Sequence, residues 1–194
     1  GLTPANISGS VYKAGAKIRV GKMTKPASQY GILSSMGTNG LMGMLAQYDE
    51  LVHRNFNDNR HRHDDLAKIQ GEAFLNHPDV KVRRGACRGC PIGCTRVTEV
   101  VNGDGQVVSR GEGPEFETVA MLGANLDIYD LKVTTEANYL CNRYGFDTIS
   151  MGGSIATLME IYSGVEKTPR SELTSEEEAL VEELSQRGLR VERQ

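Results

Sequence analysis

A mainly α-helical domain with a cysteine-rich loop and one small β-hairpin is the fold class that this 194-residue sequence predicts. Three observations lead there. Apolar residues recur at helical spacing over much of the chain, and one Asn-Gly-Asp-Gly turn separates two alternating stretches. Three of the four cysteines crowd into a single short run. The first two observations set the elements, and the third sets the chemistry.

Gly1 to Pro26 is glycine-rich and basic, with a weak alternation at Lys17-Ile18-Arg19-Val20, and residues 1–27 read as an arm or linker. Residues 28–164 read as the helical domain. From Ser28 to Tyr48, Tyr30, Ile32, Leu33, Met36, Leu41, Met42, Met44 and Leu45 fall at helical spacing. Gly37-Thr38-Asn39-Gly40 interrupts them, which predicts two short helices and a turn. His53 to Asp65 is polar and reads as a surface loop, after which Asp64-Asp65 caps a short helix through Phe74. Thr98 to Val108 alternates around Asn102-Gly103-Asp104-Gly105, a hairpin signal that places strands at about 97–108. Leu131 to Tyr144 predicts a helix entered near Asp130 and stopped by Gly145. Ile149 to Tyr162 predicts another, with Ile155, Leu158, Met159 and Tyr162 on one face. Residues 165–194 form a linker and a tail helix. Thr174 and Glu177 stand in capping-box register at its start, and Gly188 ends it.

Composition is that of a globular protein with a formal net charge of -3. Lysines and arginines are scattered, so the basic stripe that nucleic acid requires is missing. The longest apolar runs fall short of a membrane span, and the N-terminus shows no targeting signal. Free thiols in such a chain point to a reducing, cytoplasmic setting.

Cys87-Arg88-Gly89-Cys90-Pro91-Ile92-Gly93-Cys94 carries the chemistry. Thiolates at C-x2-C-x3-C spacing can converge on one polynuclear centre, because the glycines let the backbone wrap around it. Iron–sulfur clusters and zinc both select such ligands. Zinc usually shows two separated pairs, and no second pair follows. The tight spacing disfavours disulfides, and buried structural cysteines seldom cluster this way. A cubane cluster needs four thiolates; Cys141 is the only other cysteine here. His61-Arg62-His63-Asp64-Asp65 reads as a solvated loop rather than a metal site, and His53 and His77 as surface residues. Met36, Met42 and Met44 read as core filler.

Five stretches then occur in a single order: Arg54 to Phe56, Gly71-Glu72, Ala86 to Cys94, Gly113 to Thr118 and Leu140 to Ser150. Together they closely resemble the tungsten-containing aldehyde ferredoxin oxidoreductase family, from about Ser28 to Gly164. The resemblance implies the helical, cluster-bearing middle domain of such an enzyme. It implies a 4Fe-4S cluster beside a tungsten (or molybdenum) bis-pyranopterin, oxidation of aldehydes to carboxylic acids, and electron delivery to ferredoxin. By the same resemblance, Cys87, Cys90 and Cys94 match cluster ligands, and a fourth comes from a C-terminal domain rather than from Cys141. Glu115 and Glu117 match the acidic region near the metal pocket, with Glu117 the preferred catalytic base. Asn142, Gly145 and Asp147 match a pterin-binding Asp-x-x-Gly-Leu-Asp element whose leading Asp is here Asn142. Glu136 stands where some members begin a metal-binding Glu-x-x-His, but Tyr139 replaces the histidine.

Alone, such a domain is expected to lack turnover. Its partners are then N- and C-terminal domains or a complementing chain. An apolar face left without them favours a homo-oligomer. The competing expectation is a non-catalytic, truncated or repurposed module that binds zinc or no metal and works through protein contacts.

Overall fold

The computed structural model describes residues 29–57, 63–167 and 174–186. The expected N-terminal arm, His61 and Arg62, the linker around Ser171 and the Gly188 stop lie outside these residues.

Helix α1 (Gln29–Met36) gives way at Gly37 to a 3-10 turn, Thr38–Leu41, and then to α2 (Met42–Gln47). The two helices and the turn between them thus appear as the spacing predicts. Gly37 has φ 71, and a Cβ there would lie 2.8 Å from the Cys94 carbonyl oxygen, so a glycine is required. Of the three methionines taken for core, Met42 is fully buried, Met36 is half-buried and Met44 is exposed.

The single helix expected through Phe74 is instead two, α3 (His63–Leu66) and α4 (Gly71–Asn76). Gln70 is extended between them (φ -79, ψ 176). The break seats Gly71 against Gly40, where a Cβ would meet the Gly40 Cα at 3.0 Å. Leu66, Ile69 and Phe74 all reach the core through this break. Asp65 is buried and pairs with Lys68 at 2.7 Å.

Strands β1 (Val80–Arg84), β2 (Arg96–Val101) and β3 (Val107–Glu112) form an antiparallel sheet in sequential order. The β2–β3 hairpin is the one expected. Asn102 Oδ1 accepts from the Asp104 and Gln106 amides, and Gly105 takes φ 75. The added strand, β1, was not read from Val-Lys-Val-Arg-Arg, because an edge strand with one deeply buried residue carries little apolar signal. In its register with β2, Arg84 stands directly opposite Arg96.

Helix α5 (Phe116–Leu122) is buried from Thr118 onward. It is a centrepiece, packed against the Thr38–Leu41 turn, α6 (Leu131–Tyr144) and α7 (Thr148–Lys167). Helix α6 starts and stops where its sequence indicates. Asp130 accepts from the Lys132 and Val133 amides, a cap worth about 1 kcal/mol, and Gly145 is left-handed at φ 74. It lies across the sheet. The tail helix α8 (Ser175–Gln186) follows Thr174. The core gathers Met42, Leu51, Ile69, Phe74, Val100, Val119 and Leu131.

Candidate metal and cofactor site

The cysteine run forms the connection between β1 and β2, residues 85–95. The Gly85 amide donates to the Thr95 carbonyl at 2.7 Å and closes its base, and the Cys90 amide donates to the Cys87 carbonyl at 3.0 Å. Cys87 is exposed, while Cys90 and Cys94 are half-buried; all are free thiols. Gly93 has φ 60, and a Cβ there would lie 2.6 Å from Arg84 Nε. The loop therefore closes down on the Arg84 guanidinium at a left-handed residue, a conformation that favours glycine.

Two arginines surround this loop. Arg84 donates from Nε to the Gly93 carbonyl (3.2 Å) and from Nη2 to the carbonyls of Pro91 (3.1 Å) and Ile92. Arg96 is 2% exposed. Its Nη1 donates to the carbonyls of Gly93, Cys94 and Thr95, and its Nη2 to that of Ser34. Burial pulls the Arg96 pKa down, and the Glu115 carboxylate opposes that pull. Backbone hydrogen bonding by Gly93 and Ile92 holds the Cys90 thiol below its ordinary value.

Among the described residues, no group of three or more His, Cys, Asp or Glu side chains closes around a single ion. A polynuclear cluster spreads its ligands over several irons, and a loop of three thiols backed by two cations fits an anionic cluster of that kind.

A cleft of about 400 Å³ lies beyond Arg96, lined by Glu112, Gly113, Glu115, Thr118, Asn138, Asn142 and Thr148. Glu115 is the N-cap residue of α5, and its Oε2 accepts from Thr38 Oγ1 at 2.6 Å. Thr38 Oγ1 in turn accepts from the Phe116 amide at 2.8 Å. Asn138 and Asn142 both donate to the Glu112 carbonyl, at 2.8 and 3.2 Å. Thr118 and Thr148 hydroxyls meet at 2.8 Å. The lining, with two glutamates, two amides and two hydroxyls, fits the polar edge of a pterin.

Glu117 lies in the first turn of α5, exposed and outside that lining. Gly145 ends α6 with open space where a Cβ would stand. Asp147 Oδ2 accepts from the Ser150 amide at 2.7 Å at the start of α7. Hydrogen bonds from the Ser150 backbone and side chain hold the Asp147 carboxyl low. Cys141 is buried on α6, and burial, reinforced by Asp147, pushes its thiol up.

His53, expected at the surface, is instead 4% exposed. Its Nε2 lies 3.0 Å from Asp127 Oδ1, while Arg54 holds Asp127 Oδ2 at 2.8 Å. Asn125 explains the burial, because it pins the following turn with its carbonyl on the Asn55 amide and its Oδ1 on the Phe56 amide. Arg54, Asn55 and Phe56 all take positive φ there. His77 is half-buried, and its Nδ1 accepts from the Asp79 amide. Sequence reasoning missed Arg84 and Arg96; the available signal was their position on either side of the cysteine run.

These features define a helical domain with a loop of three free cysteines beside a polar cleft. The sequence model of aldehyde ferredoxin oxidoreductase, domains 2 and 3, matches residues 13–188. The chain belongs to that family, which is one of oxidoreductases. It is 34% identical over 146 residues to the tungsten-containing aldehyde ferredoxin oxidoreductase of Pyrococcus horikoshii, covering 74% of this chain and 22% of that protein. The Pyrococcus furiosus protein of the same description is 51% identical over 81 residues, 42% of this chain and 13% of that protein. An aliphatic sulfonate oxidoreductase, WOR-like subunit, of Pyrococcus furiosus is 26% identical over 109 residues, 56% of this chain and 17% of that one. The chain thus spans between 13% and 22% of the length of these relatives. No helix among the described residues is long and apolar enough to cross a membrane.

Proposed function

We propose that this chain forms part of a tungstopterin, iron–sulfur oxidoreductase. The reaction takes an aldehyde and water to a carboxylic acid, two protons and two electrons. The electrons leave singly through a 4Fe-4S cluster to ferredoxin. The observation that carries this reading is the loop of Cys87, Cys90 and Cys94 in a chain that the family's sequence model matches over residues 13–188.

A bound metal–pterin centre would supply the two-electron oxidation, served by residues of this chain in and around the cleft. Asn142 offers an amide at the cleft, Gly145 a turn without a side chain, and Asp147 a carboxylate beside the α7 amides. Glu115 shapes the cleft with its carboxylate committed to Thr38. Glu117, exposed in the first turn of α5, is the base that takes the proton of the attacking water. The three cysteines hold the cluster, and its fourth ligand comes from outside the loop. Cys141, buried on α6, is not assigned to the cluster. Exposed Leu140, Tyr144, Phe146 and Ile149 form a face for the rest of the enzyme or a second copy.

The test is iron, sulfide, zinc and tungsten content after anaerobic purification, with aldehyde-dependent viologen reduction by the holoenzyme. About four irons and four sulfides per chain, lost in Cys90→Ser, are expected. Zinc alone, or no uptake of iron and sulfide, overturns the reading in favour of a non-catalytic module.

A further inference from the structure

Residues 80–98 hold five cations, Lys81, Arg83, Arg84, Arg88 and Arg96, and no carboxylate, in a chain whose net charge is -3. The rest of the chain therefore stands at -8. Two of the five are committed to the cysteine loop, because Arg84 and Arg96 hold its carbonyls. The other three have no such task. Lys81, Arg83 and Arg88 are exposed, and among the described residues none of them makes an ion pair.

Strand β1 places two of the three. Its side chains alternate, so Val80 and Val82 pack on the core while Lys81 and Arg83 stand on the outer face. Lys81 is opposite Glu99, whose carboxylate is taken by Arg110 at 3.4 Å, and Arg83 is opposite the apolar Val97. The next carboxylate in the Arg83 row, Glu112, lies two strands away on β3. β1 is also an edge of the sheet. Charge of either sign protects an edge strand from unwanted pairing, so protection does not account for cations alone. Arg88 continues this surface onto the loop, where residues 86–89 are all exposed. Cys87, the most exposed of the three loop thiols, lies beside it.

We propose that Lys81, Arg83 and Arg88 form the docking surface for a small acidic electron-carrier protein. The inference rests on the reading that the neighbouring cysteines hold an iron–sulfur cluster. Opposite charge steers encounter and fixes register more than it adds affinity. That suits a carrier that must leave after each transfer, and electron-transfer interfaces are correspondingly small. The step is the passage of one electron: the reduced cluster is oxidised, the carrier's oxidised centre is reduced, and no bond or proton moves. Nucleic acid fits this surface less well, because residues 80–98 include no aromatic side chain on which a base could stack.

The experiment measures aldehyde-dependent reduction of an acidic ferredoxin and of methyl viologen by the holoenzyme. Wild type is compared with Arg83→Glu, Arg88→Glu and Arg83→Lys. Both charge reversals are expected to raise the KM for ferredoxin about tenfold at low ionic strength, an effect that fades as salt is added. Viologen reduction and iron content are expected to stay at wild-type values, because viologen is a small cation that needs no docking surface. Should Arg88→Glu lose iron, Arg83→Glu decides alone. Arg83→Lys keeps the charge and is expected to match wild type.

A ferredoxin KM unmoved by reversal at Arg83 overturns the proposal, and so does an Arg83→Lys enzyme as weak as Arg83→Glu. Wild-type enzyme without iron, sulfide or viologen reduction sinks the cluster reading instead. Binding of ferredoxin to the purified full chain, read from the backbone amide shifts of residues 80–98, then decides the surface by itself. Shifts that vanish in Arg83→Glu support it; no shifts there, or equal ones from a DNA duplex, count against it.

Discussion

Replacing Arg96 with methionine keeps a long side chain in the same space and removes four hydrogen bonds to main-chain carbonyls. The Gly93 carbonyl retains Arg84 Nε, and the Thr95 carbonyl retains the Gly85 amide. The loss therefore falls on the carbonyls of Cys94 and Ser34. Both carbonyls are part-buried, so each falls at the low end of the roughly 1–3 kcal/mol for a buried acceptor, about 2 kcal/mol together. The expected net destabilisation is about 2 kcal/mol. For a chain of this size that lowers Tm by about 4–8 °C. Denaturant unfolding with an unchanged m-value, alongside a thermal melt, measures it. A variant as stable as wild type would refute the reasoning, since it would mean that the carbonyls gain nothing from Arg96.

Two further outcomes follow from contacts elsewhere. At Gly152, on α7, an added Cβ would sit 2.6 Å from the Met121 carbonyl oxygen, whereas at neighbouring Gly153 it would meet only Met121 Cε, at 3.7 Å. Gly152→Ala is expected to destabilise by about 1–3 kcal/mol through overpacking. Gly153→Ala is expected to stabilise by up to about 1 kcal/mol through helix propensity; equal melts for the two variants would count against the α5–α7 packing. Burial alone would raise the Asp127 pKa, but hydrogen bonds from Arg54 and His53 outweigh it and hold the value below 3.8. Its stabilising contribution is thus fully present above its unfolded value and lost as pH falls through the lower folded one. Unfolding midpoints measured from pH 6 downward, roughly through the carboxylate range, should fall less steeply in Asp127→Asn; parallel profiles would sink the idea.

The helical core was legible where local signals agree with one another. Asp130 and Gly145 bracket α6 because cap and stop are single-residue effects, readable without neighbours. The Asn102–Gly105 turn was legible for the same reason. The break between α3 and α4 was not, since what ends the helix is the approach of Gly71 to Gly40, which is distant in sequence. Helix α5 escaped assignment because its Gly-Pro-Glu lead-in resembles a loop, although its residues from Thr118 are buried.

By itself the sequence determined the class of chemistry, since thiol spacing and the five ordered stretches are covalent facts that folding does not alter. Folding decided how that chemistry is surrounded. Arg84 and Arg96 are twelve positions apart and belong to different strands; only the antiparallel register sets them directly opposite each other at the base of the cysteine loop. Likewise the cleft joins Glu115 and Thr118 on α5 to Asn138 and Asn142 on α6 and Thr148 on α7. His53 reads as a polar loop residue until Asn125 and Asp127 close over it. In each case the deciding term is a hydrogen bond between groups whose proximity exists only after the core has formed. Such pairings carry no periodicity for a sequence to display.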